Sequence, residues 1–335
     1  MRVFVLSTRV VNFYDGPDVH RILVNDQTRT RAFRDSIAAT VGDGDVVLDV
    51  GAGSGILSLF AAQAGARRVY ALERAPGAAA IARQLVAANG MAGVIDVIDA
   101  DAEAAQLPEQ VDVLVSEWLG CYGVDENMLA PVLTARDRWL KPGGRMIPSL
   151  VTAWLAPVHH EAAREATTFR TQPYGLDLSA LAPYSADEAV WLPGGVAAGD
   201  LRADPQTLWS VDCRAMPAGE ARTPYAAQLT FTLTGDGVNG VVAWFSAEMP
   251  GTDALSNAPG APKTHWGQLL FPLASAQQAR AGDELQIGFH NVPWGSLGSQ
   301  HIWACRVADR PLEVHDTRRG QRAAGAPPWR VYQPS

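Results

Sequence analysis

An apolar segment that runs straight into three glycines at alternate positions limits this chain to few folds. Val46-Val-Leu-Asp-Val50 reads as a short strand, Gly51-Ala-Gly53-Ser-Gly55 as a tight turn, and Ile56 to Ala64 has the periodicity of a helix. Such a strand, turn and helix let a ligand approach the backbone closely at the helix start. Arg67 to Glu73 supplies a second strand, and Val111-Asp-Val-Leu-Val115 has the apolar character of a parallel strand buried on both faces. Strand and helix signals alternate from 46 to 140, the pattern of a doubly wound sheet. Glu126 to Leu140 reads as its last helix, stopped by Lys141-Pro-Gly-Gly144 before a strand Arg145-Met-Ile147. Residues 18 to 40 read as one helix packed beside the ligand edge, and Pro148 marks a boundary between a domain over 1–148 and another over 149–335.

The glycine spacing selects among cofactors. Ile56 stands where a dinucleotide fingerprint has its third glycine, which argues against a nicotinamide. Glu73 ends its strand 22 residues after Gly51, where a carboxylate can accept hydrogen bonds from both ribose hydroxyls. Ribose without pyrophosphate fits S-adenosylmethionine. A glycine turn alone is as often structural; the turn, the spaced acid and a pair of glutamates together carry this reading.

That pair is Glu117 and Glu126, nine residues apart in Ser-Glu-Trp-Leu-Gly-Cys-Tyr-Gly-Val-Asp-Glu-Asn-Met, directly after the strand ending at Val115. The loop therefore opens at the carboxyl edge of the sheet, where α/β proteins place ligands. Two carboxylates held there call for a cation, and a guanidinium matches them because its planar fork pairs with carboxylate oxygens bidentately.

With these residues in view the chain resembles the protein arginine methyltransferase family from about Tyr14 to Asp309. Gly51, Gly53 and Gly55 look like its first motif, Glu73 like its ribose-binding acid, and Asp101-Ala102-Glu103 before Leu107-Pro108 like its adenine-contacting segment. Ser116 through Met128 looks like the double-glutamate loop, and Thr264-His265-Trp266 like the threonine-histidine-tryptophan loop. The resemblance implies that His20, Arg29, Asp49 and Glu117 also serve the cofactor, Arg29 by holding its methionine carboxylate. It implies that Tyr14 lies over the cofactor against the glutamates, that Asp26 pairs with His265 as the outlet for a proton, and that Trp118, Met128, Trp266 and Leu23 surround the acceptor. In the resulting scheme the glutamates draw positive charge toward the nitrogens they hold and leave the remaining nitrogen a better nucleophile; no metal is required. Two departures stand out: only Phe13 and Tyr14 represent the family's aromatic opening, and Leu23 replaces a common methionine.

Beyond Pro148 alternating runs at Gln206–Met216, Gln228–Thr234, Val241–Met249, Gly267–Leu273, Glu284–Phe289 and Ile302–Val307 suggest an antiparallel, β-barrel-like domain. Residues 160 to 197 interrupt it with mixed helical sequence, which the resemblance identifies as an arm reaching a second subunit, hence a homodimer. Tryptophans 154, 191, 209, 244, 294 and 303 read as barrel core, and the tail from Asp309 as a surface end.

A net charge of −8 without a basic stripe argues against nucleic acid and suits a cationic acceptor. Three scattered cysteines fit reduced thiols, and neither a signal peptide nor a membrane span is expected, so a cytoplasmic protein is. Only Lys141 and Lys263 are lysines among many arginines, a bias of GC-rich, bacterial coding. His159-His160-Glu161 lacks the spacing of metal ligands. The leading expectation is methyl transfer to a terminal guanidino nitrogen. Free arginine or a small arginine metabolite is slightly favoured, since no accessory recognition domain is expected, over arginine in a protein or peptide. A nicotinamide oxidoreductase and a catalytically silent scaffold are the alternatives; retention of both glutamates and His265 disfavours the second, because buried charges are costly to keep.

Overall fold

The structure is a computed structural model and describes residues 16–167, 173–178, 180, 186–294, 298–308, 310–318 and 329–331. Tyr14 lies outside these residues, as do Phe169, Leu181 and a minority of the arm around them.

The first half is a five-stranded parallel sheet in the order β3-β2-β1-β4-β5, formed by β1 (Val46–Val50), β2 (Arg68–Glu73), β3 (Ile95–Asp99), β4 (Val111–Val115) and β5 (Leu140–Ile147). All five residues of β1 are buried, as a central strand covered on both faces requires. The strand order reverses between β1 and β4, so their carboxyl ends border the crevice where such sheets take ligands. Register pairs Asp49 with Val115, which brings the glycine turn after β1 and the glutamate loop after β4 to one edge. Ser116 Oγ reinforces the junction by donating to the Val50 carbonyl at 2.6 Å.

The helix expected over 18–40 is two helices, α1 (Pro17–Asn25) and α2 (Gln27–Thr40), broken at Asp26. Asp26 is extended, and its side chain accepts from Arg29 N as an N-cap, so the capping preference of aspartate overrides the continuous apolar periodicity. Helix α3 (Ile56–Gln63) leaves the glycine turn and α4 (Pro76–Ala88) follows β2. The last helix of this half, α5 (Leu129–Trp139), begins three residues later than the periodicity indicated, because Glu126 to Met128 belong to the loop. The strand expected at 145–147 is longer: β5 starts at Leu140, where backbone of β4 pairs through an irregularity beside Val111.

The parallel sheet ends at Ile147, and β6 (Leu150–Val158) opens an antiparallel half. Helix α6 (Glu161–Thr167) and β7 (Ala189–Leu192) flank the arm, so the segment 160–197 is part helix and part strand. There follow β8 (Gln206–Asp212), β9 (Tyr225–Thr232), β10 (Gly240–Glu248), β11 (Leu255–Ser256), β12 (Gln268–Pro272), β13 (Glu284–Pro293), β14 (Ser299–Val307), β15 (Glu313–Asp316) and β16 (Trp329–Val331). One sheet runs β16-β7-β12-β10-β6-β8, with β11 on β10, and the other β15-β14-β13-β9. The tail is therefore not simply a surface end: β15 pairs with β14, and β16 lies parallel to β7. Phe231, Phe271, Phe289 and Trp303 fill the space between the sheets, each at most 1 % exposed. Trp244 is likewise buried, whereas Trp294 is 53 % exposed and is no core residue; it follows the end of β13, where its backbone N–H donates to the Gly298 carbonyl.

Candidate functional site

The cofactor half of the site is built from β1, β2 and the turn between β1 and α3. Gly53 has a positive φ of 56°, and a side chain there would meet the buried His20 ring at 3.2 Å. Gly51, at φ 73°, faces the Met128 side chain. His20 from α1 and Met128 from the glutamate loop thus close on the turn from two sides, and only glycine leaves space for a ligand between them. Glu73 is 8 % exposed; its Oε2 accepts from Gly53 N at 2.8 Å and its Oε1 from Ala75 N at 2.7 Å. The carboxylate fastens the turn and keeps acceptor capacity for a ribose.

Asp49 is 1 % exposed and accepts from Ser58 Oγ at 2.6 Å through Oδ2, while its Oδ1 has no hydrogen-bond partner. Burial pushes its carboxyl up to about 6, with the Ser58 bond opposing and the Glu73 charge adding to the rise. An orphaned buried oxygen beside a glycine turn fits the ammonium group of an amino-acid moiety. Asp101 accepts from Glu103 N at 2.9 Å and caps its own turn. Glu103 is paired with Arg222 at the surface, next to Ala102 in the same segment.

The acceptor half is the loop from Ser116 to Met128. Glu117 already holds a guanidinium: Arg29 Nε and Nη2 both donate to its Oε2, at 2.9 and 2.8 Å, while Leu119 N donates to Oε1 at 3.0 Å. Arg29 and Glu117 are 5 % and 10 % exposed, a buried pair whose separation would strand a charge. Glu126 is half-buried farther along the same loop. Between the two, Asp125 is fully buried and accepts from Cys121 N at 3.0 Å and Tyr122 N at 3.1 Å. Burial raises the Asp125 carboxyl against these bonds. It also pushes the Cys121 thiol well up, aided by the charges of Asp125 and Glu126, and the Sγ–H donates to the Trp266 carbonyl at 3.3 Å; Cys121 is a packing residue.

The barrel holds the loop from outside. Tyr122 OH donates to Asn291 Oδ1 at 3.1 Å and lies 2.7 Å from His301 Nε2; Asn257 Nδ2 donates to the Cys121 carbonyl at 2.7 Å. Sequence reasoning passed over Asp125, Tyr122, Asn257, Asn291 and His301. The one available signal was an aspartate closing the apolar stretch Leu119 to Val124.

His265 and Asp26 meet as a pair. Asp26 Oδ2 accepts from His265 N at 2.7 Å and lies 2.8 Å from His265 Nδ1, and Oδ1 accepts from Arg29 N at 3.0 Å. Burial would raise the Asp26 carboxyl, but the bonds from the His265 ring, Arg29 N and His265 N together hold it below its usual value. These two residues join Arg21, Ile22, Asn25, Gln27, Thr28, Lys263 and Thr264 around an open groove of about 500 Å³. Leu23 is half-buried on α1, and its carbonyl accepts from Arg29 Nη1 at 3.4 Å. Trp266 and Trp118 are 3 % and 1 % exposed and back the loop from the core, Trp266 edge-on to Phe245.

Comparison with known proteins accords with this geometry. Residues 47–144 match a methyltransferase domain and residues 151–294 an arginine methyltransferase oligomerization subdomain. The chain is 35 % identical over 286 residues to protein arginine N-methyltransferase 6 of Xenopus tropicalis, covering 81 % of this chain and 83 % of that protein. It is 34 % identical over 282 residues to protein arginine N-methyltransferase PRMT10 of Oryza sativa subsp. japonica, covering 74 % and 73 %. Among solved structures, protein arginine methyltransferase 10 of Arabidopsis thaliana superposes with a TM-score of 0.77 at 28 % identity, covering 90 % of this chain and 97 % of that one. The Trypanosoma brucei PRMT1 enzyme-prozyme complex with AdoHcy superposes at 0.82 and 27 % identity, covering 91 % and 99 %. The chain belongs to the protein arginine N-methyltransferase family.

Proposed function

We propose that this chain transfers a methyl group from S-adenosylmethionine to a terminal guanidino nitrogen of arginine in a protein or peptide. The observation that carries it is the loop after β4, which sets Glu117 and Glu126 at the sheet edge beside the glycine turn, with Glu117 already anchored by the guanidinium of Arg29. When bound, the cofactor supplies an electrophilic methyl carbon on a sulfonium. Gly51, Gly53, Glu73 and Asp49 would hold its ribose and amino-acid parts, and Arg29 its carboxylate.

An arginine side chain, with its pKa above 12, has no free lone pair while its charge is spread over three nitrogens. Glu117 and Glu126 localise that charge on the nitrogens they contact, and the third nitrogen gains nucleophilic character. Once that nitrogen had taken the methyl group from the sulfonium, with the electron pair of the broken sulfur–carbon bond left on sulfur, it would have to shed a proton. With His265 Nδ1 tied to Asp26, Nε2 is the ring nitrogen left to take it. Orientation supplies most of the acceleration.

The expectation of free arginine as the favoured acceptor gives way here. Its support was coding bias and an expectation about domain content, whereas relatives matching over 81 % and 74 % of the chain are named for protein arginine. Mass spectrometry of products from labelled cofactor, with an arginine peptide and free arginine offered together, tests this. Label in the peptide is expected; label in free arginine alone, or on lysine, would overturn it. At least one methyl is added; further addition depends on space beside Leu23 and Met128.

A homodimer and a cytoplasmic setting complete the proposal. Tyr174 and Leu176 in the arm are 99 % and 60 % exposed, apolar surface that a second copy would cover. Sedimentation showing only monomer at micromolar concentration would refute the dimer. The free thiols of Cys121, Cys213 and Cys305 suit a reducing compartment, and fractionation of cells that express the chain tests it.

A further inference from the structure

Glu126 stands between two residues whose side chains are both committed elsewhere. On one side Asp125 turns into the loop, and its two carboxylate oxygens take the N–H groups of Cys121 and Tyr122 at 3.0 and 3.1 Å. The fit is close: a side chain at Gly120 would fall inside this carboxylate. The segment that Asp125 grips is fixed in turn, because Asn257 holds the Cys121 carbonyl at 2.7 Å and Tyr122 OH reaches Asn291 and His301 in the barrel. On the other side Asn127 has a φ of 58°, a left-handed conformation that asparagine tolerates better than other residues with a side chain. Its Nδ2 donates to the Gly298 carbonyl, and Ser299 Oγ donates to its Oδ1 at 3.4 Å.

We propose that Asp125 and Asn127 are positioning residues that bracket Glu126 and fix its carboxylate against the acceptor guanidinium. The inference rests on Glu126 gripping that group. Its physical basis is that a loop needs no buried carboxylate to be stable. A neutral residue could close the turn without removing a charge from water, and Asp125 is fully buried with backbone N–H groups as its principal donors. Such a residue is worth keeping where it fixes the direction of its neighbour. With 125 pointing inward and 127 tied to 298 and 299, the backbone at 126 has one orientation, and the barrel sets it as much as the sheet does. A displacement of about 1 Å at a reacting group costs on the order of 10²-fold in rate, which is the effect at stake.

The test compares D125N, N127G and E126Q, singly and as D125N/E126Q, on the full chain with an arginine peptide. D125N keeps the size of the side chain, and N127G keeps the left-handed backbone while deleting both side-chain bonds. Each bracket variant is expected to lower kcat by about 10–100-fold and raise the KM for the peptide, with cofactor affinity by calorimetry unchanged within about twofold. A structural role alone would lower the folded fraction without this split. D125N/E126Q should be no more than about threefold slower than E126Q, since a misplaced and a neutralised carboxylate fail for the same reason. Losses that multiply in the double variant, or wild-type turnover in D125N and N127G beside an inactive E126Q, would overturn the bracket alone. Wild-type turnover in E126Q would overturn the acceptor clamp itself, and the bracket with it.

Discussion

The two halves of the site are assembled from different distances along the chain. In the cofactor half the decisive bonds join Ser58 to Asp49, Gly53 to Glu73 and Ala75 to Glu73, separations of 9, 20 and 2 residues. In the acceptor half they join Arg29 to Glu117, Asn257 to Cys121, Tyr122 to Asn291 and His301 to Tyr122, separations of 88, 136, 169 and 179. The bonds of the cofactor turn close within the parallel half, with His20 of α1 and Met128 of the glutamate loop packed against it. The glutamate loop needs the barrel, so damage to the barrel core should reach the acceptor half and spare the cofactor half.

The largest effect should come from the acceptor carboxylates. Glu126→Gln is expected to lower turnover on the order of 10²–10³-fold with cofactor affinity unchanged, because the amide keeps the shape and loses the charge. Glu117→Gln should match it in turnover and also destabilise the fold, since Arg29, 5 % exposed, then lacks its counter-charge. Single-turnover rates beside melting curves separate the two. If Glu126→Gln weakened cofactor binding as much as catalysis, the division of the site into halves would fail.

What could be read in the sequence divides along the same line. The glycine turn, Glu73 and the parallel sheet announce themselves in contiguous residues, because a backbone that must turn tightly at a strand end writes glycine into the chain. Glu117, Glu126 and His265 stand out through their short motifs, and Asp26 and Arg29 by resemblance; the fold brings Arg29 to Glu117 and Asp26 to His265. The break at Asp26 was hidden under an unbroken apolar period, since a cap is decided by one carboxylate and not by hydrophobic spacing. Tyr122 and His301 were invisible for a different reason: their roles exist only once residues 169 and 179 positions apart have met; Asp125 binds N–H groups only three and four residues back, and showed only as an aspartate closing an apolar stretch. The burial of Trp118 and Trp266 behind the loop could not be read either, because residue type shows an aromatic's size and not which face it packs.

Asp49 should show the next largest effect, and its sign differs between stability and binding. Burial moves its carboxyl from 3.8 to about 6, so the folded state keeps a proton that the unfolded chain has already released. Stability is therefore lost as pH rises from about 4 to 6, by roughly 2–3 kcal/mol once Asp49 is ionised in both states. Asp49→Asn should recover that amount at pH 7 and nothing at pH 4, while weakening cofactor binding. Urea titrations at the two pH values check the first part and calorimetry the second. An equal gain at both would show that the orphaned Oδ1 imposes no charge penalty.

Glu73→Ala follows, with an expected loss of about 1–3 kcal/mol in cofactor affinity through the missing charged hydrogen bonds and a loosened Gly53. The Glu126 carboxylate lies outside this bond set, so turnover at saturating cofactor should fall much less than affinity. Calorimetry showing unchanged affinity would remove Glu73 from the cofactor site.

The smallest effect isolates the barrel's part. Tyr122→Phe keeps the ring among Trp209, Phe271 and Phe289, whose centroids lie 5.8, 6.4 and 6.2 Å away, and deletes only the hydroxyl. Asn291 and His301, both fully buried, then each lose a hydrogen-bond partner, at a cost of about 1–3 kcal/mol in stability. The loop is still held by Asn257 and by Asp125, so turnover should drop by only about two- to tenfold, and cofactor affinity should not move because no bond of Tyr122 reaches β1 or β2. Combined with Asn257→Ala, which frees the Cys121 carbonyl, the loss in turnover should exceed the product of the single losses, since each anchor masks the absence of the other. A shift in cofactor affinity equal to the loss in turnover would show that the barrel acts on the whole crevice, and the two halves would then be one unit.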